Sequence, residues 1–440
     1  MSTINRLQRL TGDHSSKQKT SSPRADEISK LRTRIESIMS RRQVTTVAQP
    51  PVPYGSRLIL KDVIEGDEVE NVHGKFFIAH GFHPGASNFG SRHIKEISDL
   101  DMKAAALLAN IPELASFNYA DALFLDTETT GLSGGTGTLA FLIGLGWFED
   151  GTFLTRQIFA RDFSEERASL SFLLEMAMDK AFIVTFNGKA FDVSLLSTRF
   201  VLNRLPDHLA GMPHLDLLHP SRRLLGHRLD NSRLMTIEKE ILGIHRDGDI
   251  PGSEIPQRYF NWLRHRDARF MVDVFEHNRL DVISMALLIL HLAEMLKLDY
   301  DVTTAKHFDL LAASRLFLDR GDSSSAIRIL ESLIRLEYSD VSFQASRALS
   351  LIYKRSGRWS DAVRIWESIL MDDPGNYFAV EELAKWFEHK CRDFKKAIDV
   401  VSKALNLPYL KTMAEKEALH HRLERLKGRT AHIHIHKAIS

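Results

Sequence analysis

Asp126 and Glu128 stand two residues apart in "LFLDTETTGLSGG" (123–135), at the end of an apolar run. In an extended strand residues i and i+2 point the same way, roughly 6.6 Å apart. At that spacing, with an effective dielectric of about 20, two carboxylates repel by roughly 2.5 kcal/mol. A divalent cation between them removes the cost. A lone D-x-E carries little weight, since roughly one is expected by chance in a chain of this length, but two later stretches add to it. "FIVTFNGKAFDVSLL" delivers Asp192 just after a buried strand, with Asn187 at the strand tip and a helix beginning beyond. "FEHNRLDVISMALLIL" sets His277 and Asp281 at i and i+4, a spacing that puts both on one face of a helix.

Asp126, Glu128, Asp192 and Asp281 are the candidate metal ligands and catalytic acids. Two Mg²⁺ or Mn²⁺ ions would neutralise them, whereas four crowded carboxylates without cations would hold protons. Oxygen donors select such hard ions over zinc. Two metals can bracket a phosphodiester, one activating the attacking water and the other stabilising the leaving 3′-oxygen. His277, a side chain that titrates near neutrality, is the candidate general base.

The elements that must position these residues follow from the patterning. Residues 1–54 read as a basic, disordered tail: positions 1–50 hold ten Lys or Arg against four Asp or Glu, and Ile28, Leu31, Ile35 and Met39 space a short amphipathic helix within it. Residues 55–115 read as a β-rich lead-in, with "SRLILKDVI" and "GKFFIAHGF" as β-like pieces before the helical "IKEISDLDMKAAALLA". Residues 116–298 then give three antiparallel strands ("DALFLDTETTG", "TLAFLIGLGWFED", "TFLTRQIFA"), a helix, the strand "AFIVTFN", a helix, the short strand "HLDLL" and a mostly helical remainder. That order predicts an α/β ribonuclease H-like fold with a mixed sheet.

The chain resembles the DEDD exonucleases of the ribonuclease H-like superfamily, and within them the YprB-like branch. "DTETTG", "FNGKAFD" and "HNRLDV" match the three motifs, and "LDLLHPSRRLL" and "LMTIEKEILGIHRDGDIPGSEIPQRYF" are also similar to that branch. The likeness covers roughly residues 75–296. It implies metal-dependent hydrolysis of single-stranded DNA or RNA from the 3′ end, with Asp126, Glu128, Asp192 and Asp281 holding the metals. One departure stands out. DEDD enzymes carry either Y-x3-D or H-x4-D in the third motif, and this chain places His277 at the tyrosine spacing.

Thr127, Asn187, Lys189, Arg222 and Arg223 are the candidate substrate contacts. The last two belong to "RRLLGHRLDNSR", an arginine-rich stretch suited to phosphates, and equally to a solvated helix face. "HRDGDIPG" reads as a loop at the site or in its packing. "SGGTGT" lacks the G-K-[ST] ending of a phosphate loop and reads as a turn near the substrate. "AHIHIHK" places His432, His434 and His436 on one strand face or in a frayed tail, 426–440.

Residues 303–425 show an internal repeat. "GDSSSAIRILESLI", "GRWSDAVRIWESIL" and "CRDFKKAIDVVSKAL" align on Ala326, Ala362 and Ala397, spaced 36 and 35 residues, and are similar to tetratricopeptide repeats. Such helical hairpins stack and offer a surface for a protein or peptide partner, or serve as a capping bundle. The formal net charge of +1 excludes a global field for polyanions. A single cysteine, Cys391, excludes an internal disulfide and a Cys-rich zinc site, fits a reducing cytoplasm, and reads as structural. The longest apolar runs, 139–148 and 284–296, are too short to span a bilayer. The expectation is a cytoplasmic 3′ to 5′ exonuclease with a partner-binding helical region. A nucleic-acid-binding adaptor acting through its repeats and an endonuclease of the same superfamily are the rivals.

Overall fold

The computed structural model describes residues 57–131, 136–246, 248–407 and 412–439. The expected basic tail and its helix lie outside these residues, as does the "SGG" part of the glycine-rich turn.

Gly66–Asn71 (β1) and Gly74–His83 (β2) pair antiparallel across a tight turn. Asn88–Phe89 (β3) and Arg92–His93 (β4) make a separate small ribbon, and Met102–Ala109 (α1) follows, N-capped by Asp101. Ala122–Thr129 (β5), Ala140–Glu149 (β6) and Thr152–Phe159 (β7) form a meander. The two-residue link between β6 and β7 is Asp150 and Gly151, both with positive φ, as a tight hairpin with right-handed strand twist requires. Then come Glu166–Met178 (α2), Phe182–Thr185 (β8), Asp192–Leu202 (α3), His214–Asp216 (β9), Leu218–Leu225 (α4), Ile255–His265 (α5) and the long Val272–Glu294 (α6).

The seven-stranded sheet runs β1-β2-β7-β6-β5-β8-β9. Its first five strands are antiparallel, and β8 and β9 add parallel to β5. This is the mixed sheet of a ribonuclease H-like domain. The lead-in strands are therefore part of the main sheet, with charged β1 on its edge where unpaired backbone is best kept polar. "SRLILKDVI" does not become a strand. It holds a short helical turn, Leu60–Val63, because the Leu58 carbonyl is taken by the Ala268 N–H at 3.0 Å and Leu60 is buried against Trp262 and its neighbours.

Strand alternation splits the core. Leu123 and Leu125 of β5 pack with Leu173 and Leu174 of α2 and Leu195, Leu196 and Phe200 of α3 on one face. Ala122 and Phe124 join the cluster that holds α6, from Val282 to Ala293, on the other. Helix α6 comes close to β6 because Gly144 and Gly146 carry no side chain. A Cβ on Gly144 would sit 2.3 Å from Asn278 Oδ1, and one on Gly146 2.5 Å from a Val282 methyl.

Beyond α6 the chain is all helical: His307–Asp319 (α7), Ser323–Leu333 (α8), Asp340–Arg355 (α9), Trp359–Asp372 (α10), Tyr377–Trp386 (α11), Phe394–Leu405 (α12) and Met413–Ile439 (α13). Ala326, Ala362 and Ala397 are fully buried, each on the second helix of a hairpin where only a small side chain lets the helices touch. The apolar cluster containing α6 continues without a break through Leu310, Phe317, Leu330, Leu349 and Trp366. Helix α13 runs to Ile439, so His432, His434 and His436 lie on a helix rather than a strand, and residues 426–439 are not an extended tail. Three arginines of α13, Arg422, Arg425 and Arg429, anchor it by pairing with the buried Glu388. Cys391, expected to be structural, is exposed. Among the described residues no helix is long and apolar enough to cross a membrane.

Candidate active site

Because β5 alternates, Asp126 and Glu128 continue the face begun by Ala122 and Phe124, beneath α6, and a bulge after Glu128 ends the regular pairing with β6. Thr127 points to the opposite face. There its hydroxyl and backbone N–H donate to Asp192 Oδ1 at 2.5 and 3.1 Å. Asp192 is the first residue of α3, where the helix N-terminus favours a negative charge. Acids from both faces of the sheet thus meet where β5 ends.

Helix α6 supplies the rest. Asn278 lies in the space left by Gly144, which is opposite Asp126 in the β5–β6 register. Its amide donates to Asp126 Oδ2 at 2.8 Å, and its carbonyl oxygen accepts from Gln157 of β7 at 2.8 Å. The adjacent His277 and, about one turn further on, Asp281 face the strand acids. His277 Nε2 is 4.0 Å from Glu128 Oε1 and 3.8 Å from Asp281 Oδ2. On its other side His277 Nδ1 lies 2.8 Å from Asp249 Oδ1.

Asp249 and Arg246 come from the "HRDGDIPG" loop. The Arg246 side chain is 4% exposed. Its Nε donates to Glu238 at 2.7 Å and Nη1 to Asp249 Oδ2 at 3.2 Å, while Nη2 bonds both Glu238 and Asp281. Three acidic side chains, Glu238, Asp249 and Asp281, therefore share one guanidinium, and Asp126, Glu128 and Asp192 add three more acids to the same site. This excess of negative charge bears on how the acids hold their protons. Burial, then the charges of Asp281 and Asp192, push Asp126 well above the usual carboxylate range. Glu128 is driven the same way by burial and then by Asp126, Asp281, Asp192 and Asp249. Burial raises Asp192 to about 6 against the hydrogen bonds from Thr127. Among the described residues no three His, Asp, Glu or Cys side chains close around one point as a complete metal cage. Arg246 holds one oxygen of Asp281, Asn278 one of Asp126 and Thr127 one of Asp192. The donor set, hard oxygens in large negative excess, fits divalent cations of the Mg²⁺ type.

The structure brings together His277, Asp126, Glu128, Asp192 and Asp281 from the expected set. Thr127 reaches the site through Asp192. Asn187, with a left-handed φ of 70°, and Lys189 form the turn leading to Asp192, and their N–H groups donate to Asp216 of β9 at 2.7 and 3.0 Å. The Lys189 side chain is exposed. Arg222 is exposed on α4. The Arg223 guanidinium, also exposed, pairs with Asp319 at the end of α7, and Arg228 pairs with Asp309. Two arginines of this stretch thus contact the helical region. Asn278, Gln157 and Asp216 were not singled out in the sequence. Asn278 sits inside the third motif, one helical turn before the last acid, and was the one most open to detection.

A model of the RNase_H superfamily matches residues 123–293. The chain belongs to the ribonuclease H superfamily, in the family of YprB. The relative that shows this is "Uncharacterized protein YprB" of Bacillus subtilis (strain 168), 37% identical over 317 residues, which covers 71% of this chain and 75% of that protein.

Proposed function

We propose that the protein is a metal-dependent 3′ to 5′ exonuclease of single-stranded DNA or RNA. The observation that carries this reading is the meeting of Asp126, Glu128, Asp192 and Asp281 at one end of β5 with the imidazole of His277 among them. The four acids would hold two Mg²⁺ or Mn²⁺ ions, which when bound supply Lewis acidity at the phosphate and offset charge on the leaving 3′-oxygen. The other steps belong to the chain. Nε2 of His277 takes a proton from the attacking water, whose oxygen keeps the electron pair that goes to phosphorus. Thr127 and Asn278 orient Asp192 and Asp126 so that their remaining lone pairs face the centre. Thr127, Asn187, Lys189, Arg222 and Arg223 are the proposed contacts to the strand. The all-helical region, read as tetratricopeptide-like hairpins, is the proposed seat of a protein partner, and the protein is placed in the cytoplasm.

The test uses purified full-length protein and its Asp126→Ala variant with 5′-labelled single-stranded DNA and RNA, in Mg²⁺ or Mn²⁺, resolved on a sequencing gel. A metal-dependent ladder that shortens from the 3′ end and falls at least about 100-fold in the variant is expected. Internal fragments would replace the reading by an endonuclease. No products on either strand would replace it by a binding adaptor.

A further inference from the structure

We infer that Asp249 is the positioning residue of His277, fixing its proton on Nδ1 so that Nε2 meets the centre as an acceptor. This rests on His277 being the base proposed above.

The inference comes from what surrounds the Asp249 carboxylate. Its side chain is 7% exposed. Oδ1 receives the Ile250 N–H at 2.9 Å and lies 2.8 Å from His277 Nδ1, and Oδ2 receives Arg246 Nη1 at 3.2 Å. Both oxygens of this carboxyl already act as acceptors, from Ile250 N–H and from Arg246, so the hydrogen in the third contact is assigned to the histidine. A neutral imidazole with its hydrogen on Nδ1 has its lone pair on Nε2. That atom is the one 3.8 and 4.0 Å from Asp281 and Glu128. Without Asp249 an Nδ1–H would lose its acceptor, and the hydrogen could sit instead on Nε2, 3.8 Å from Asp281. A base in that state has no lone pair for water. Arg246 contributes by spanning Asp249 and Asp281, which ties the orienting loop to the helix that carries the base.

The spacing to the last acid gives the pairing a reason. At i−4 from Asp281 the side chain of residue 277 shares a face with Asp281, and an unsupported imidazole there would be drawn to its own helix neighbour. A partner on the far side holds the ring in place.

The experiment is ¹⁵N NMR of the imidazole nitrogens in full-length, metal-free protein, at a pH where the ring is neutral, with His277→Ala to assign the signals. The wild type is expected to show an unprotonated Nε2. Asp249→Leu, which removes the acceptor at similar size, is expected to move the signal toward the Nε2–H form. With Mn²⁺ and a single-stranded oligonucleotide, Asp249→Leu is expected to lower kcat by about 10- to 100-fold with KM within about twofold. A protonated Nε2 in the wild type would overturn the inference without need of any variant. So would a tautomer unchanged in Asp249→Leu, which would make the residue structural only. A wild type that cuts no strand yet shows an Asp249-dependent tautomer would remove the nuclease reading and leave the pairing standing.

Discussion

Asp192 keeps its proton to a pH of about 6 in the folded chain, while an unfolded aspartate loses it near the ordinary value of 3.8. Below the lower value both states are protonated and the residue contributes nothing to pH dependence. Between the two, the folded state binds the extra proton, so stability falls as pH rises and the loss is complete above the upper value. The difference corresponds to up to about 3 kcal/mol. Asp192→Asn, whose amide oxygen can still accept from Thr127, does not titrate. In chelator, its melting temperature is expected to exceed that of the wild type by more at pH 7 than at pH 4, as read by calorimetry. Mn²⁺ at pH 7 is expected to raise the wild type more than the variant. Equal differences at both pH values would mean that Asp192 is ionised in the folded apo protein.

At the scale of elements, the contact between α6 and β6 decides where His277, Asn278 and Asp281 stand. Gly144 is the closest point, and an added methyl meets Asn278 Oδ1, Cγ and Nδ2, all within 3 Å. Gly144→Ala is expected to lose about 1–3 kcal/mol in urea unfolding, and to lose activity as well, since Asn278 cannot move without releasing Asp126. Asn278→Ala in the same chain makes room, so the double variant is expected to regain part of the stability and none of the activity. These elements differ in how much the sequence reveals of them. Period two put Asp126 with Glu128, and the i, i+4 step put His277 with Asp281, because both relations are local to one strand or one helix. The seven-stranded sheet was harder: β1 is an edge strand whose charged residues give no alternating apolar signal, and β2 joins β7 over a separation of 70 to 82 residues. Asp249 and Arg246 were visible as a polar loop, but their partners, His277 and Asp281, lie 28 and 35 residues away. Only folding brings such groups together. The arginines at and just after α4 show the same limit. Their charge was legible, whereas Asp319 and Asp309, which pair with Arg223 and Arg228, belong to a helix that begins some 80 residues later.

Over the whole molecule, one apolar cluster extends from α1 and α6 into α7 to α11. Arg320 also donates to the Leu107 carbonyl at 2.8 Å, tying α7 to the end of α1. A chain stopped at residue 300 would expose the side of this core that Leu310, Leu311 and Phe317 cover. Each buried leucine or phenylalanine contributes roughly 1.5–3 kcal/mol, and a domain has only about 5–15 kcal/mol in total. The shortened protein is therefore expected to bind a hydrophobic dye and to unfold at a melting temperature at least 10 °C lower, or without a cooperative transition. A shortened chain as stable as the full one would show the helical region to be an independent appendage.

The unbroken core also bears on distance. A domain tied by a flexible linker samples many separations from its neighbour, but interiors packed to crystal density do not bend. Whatever rests on the first two helical hairpins is consequently held at one offset and one angle from Asp126 and His277. On the nuclease reading proposed above, the molecule is a ruler with a blade at one end: the length of strand between the held point and the acids is set by the fold, not by chance encounter.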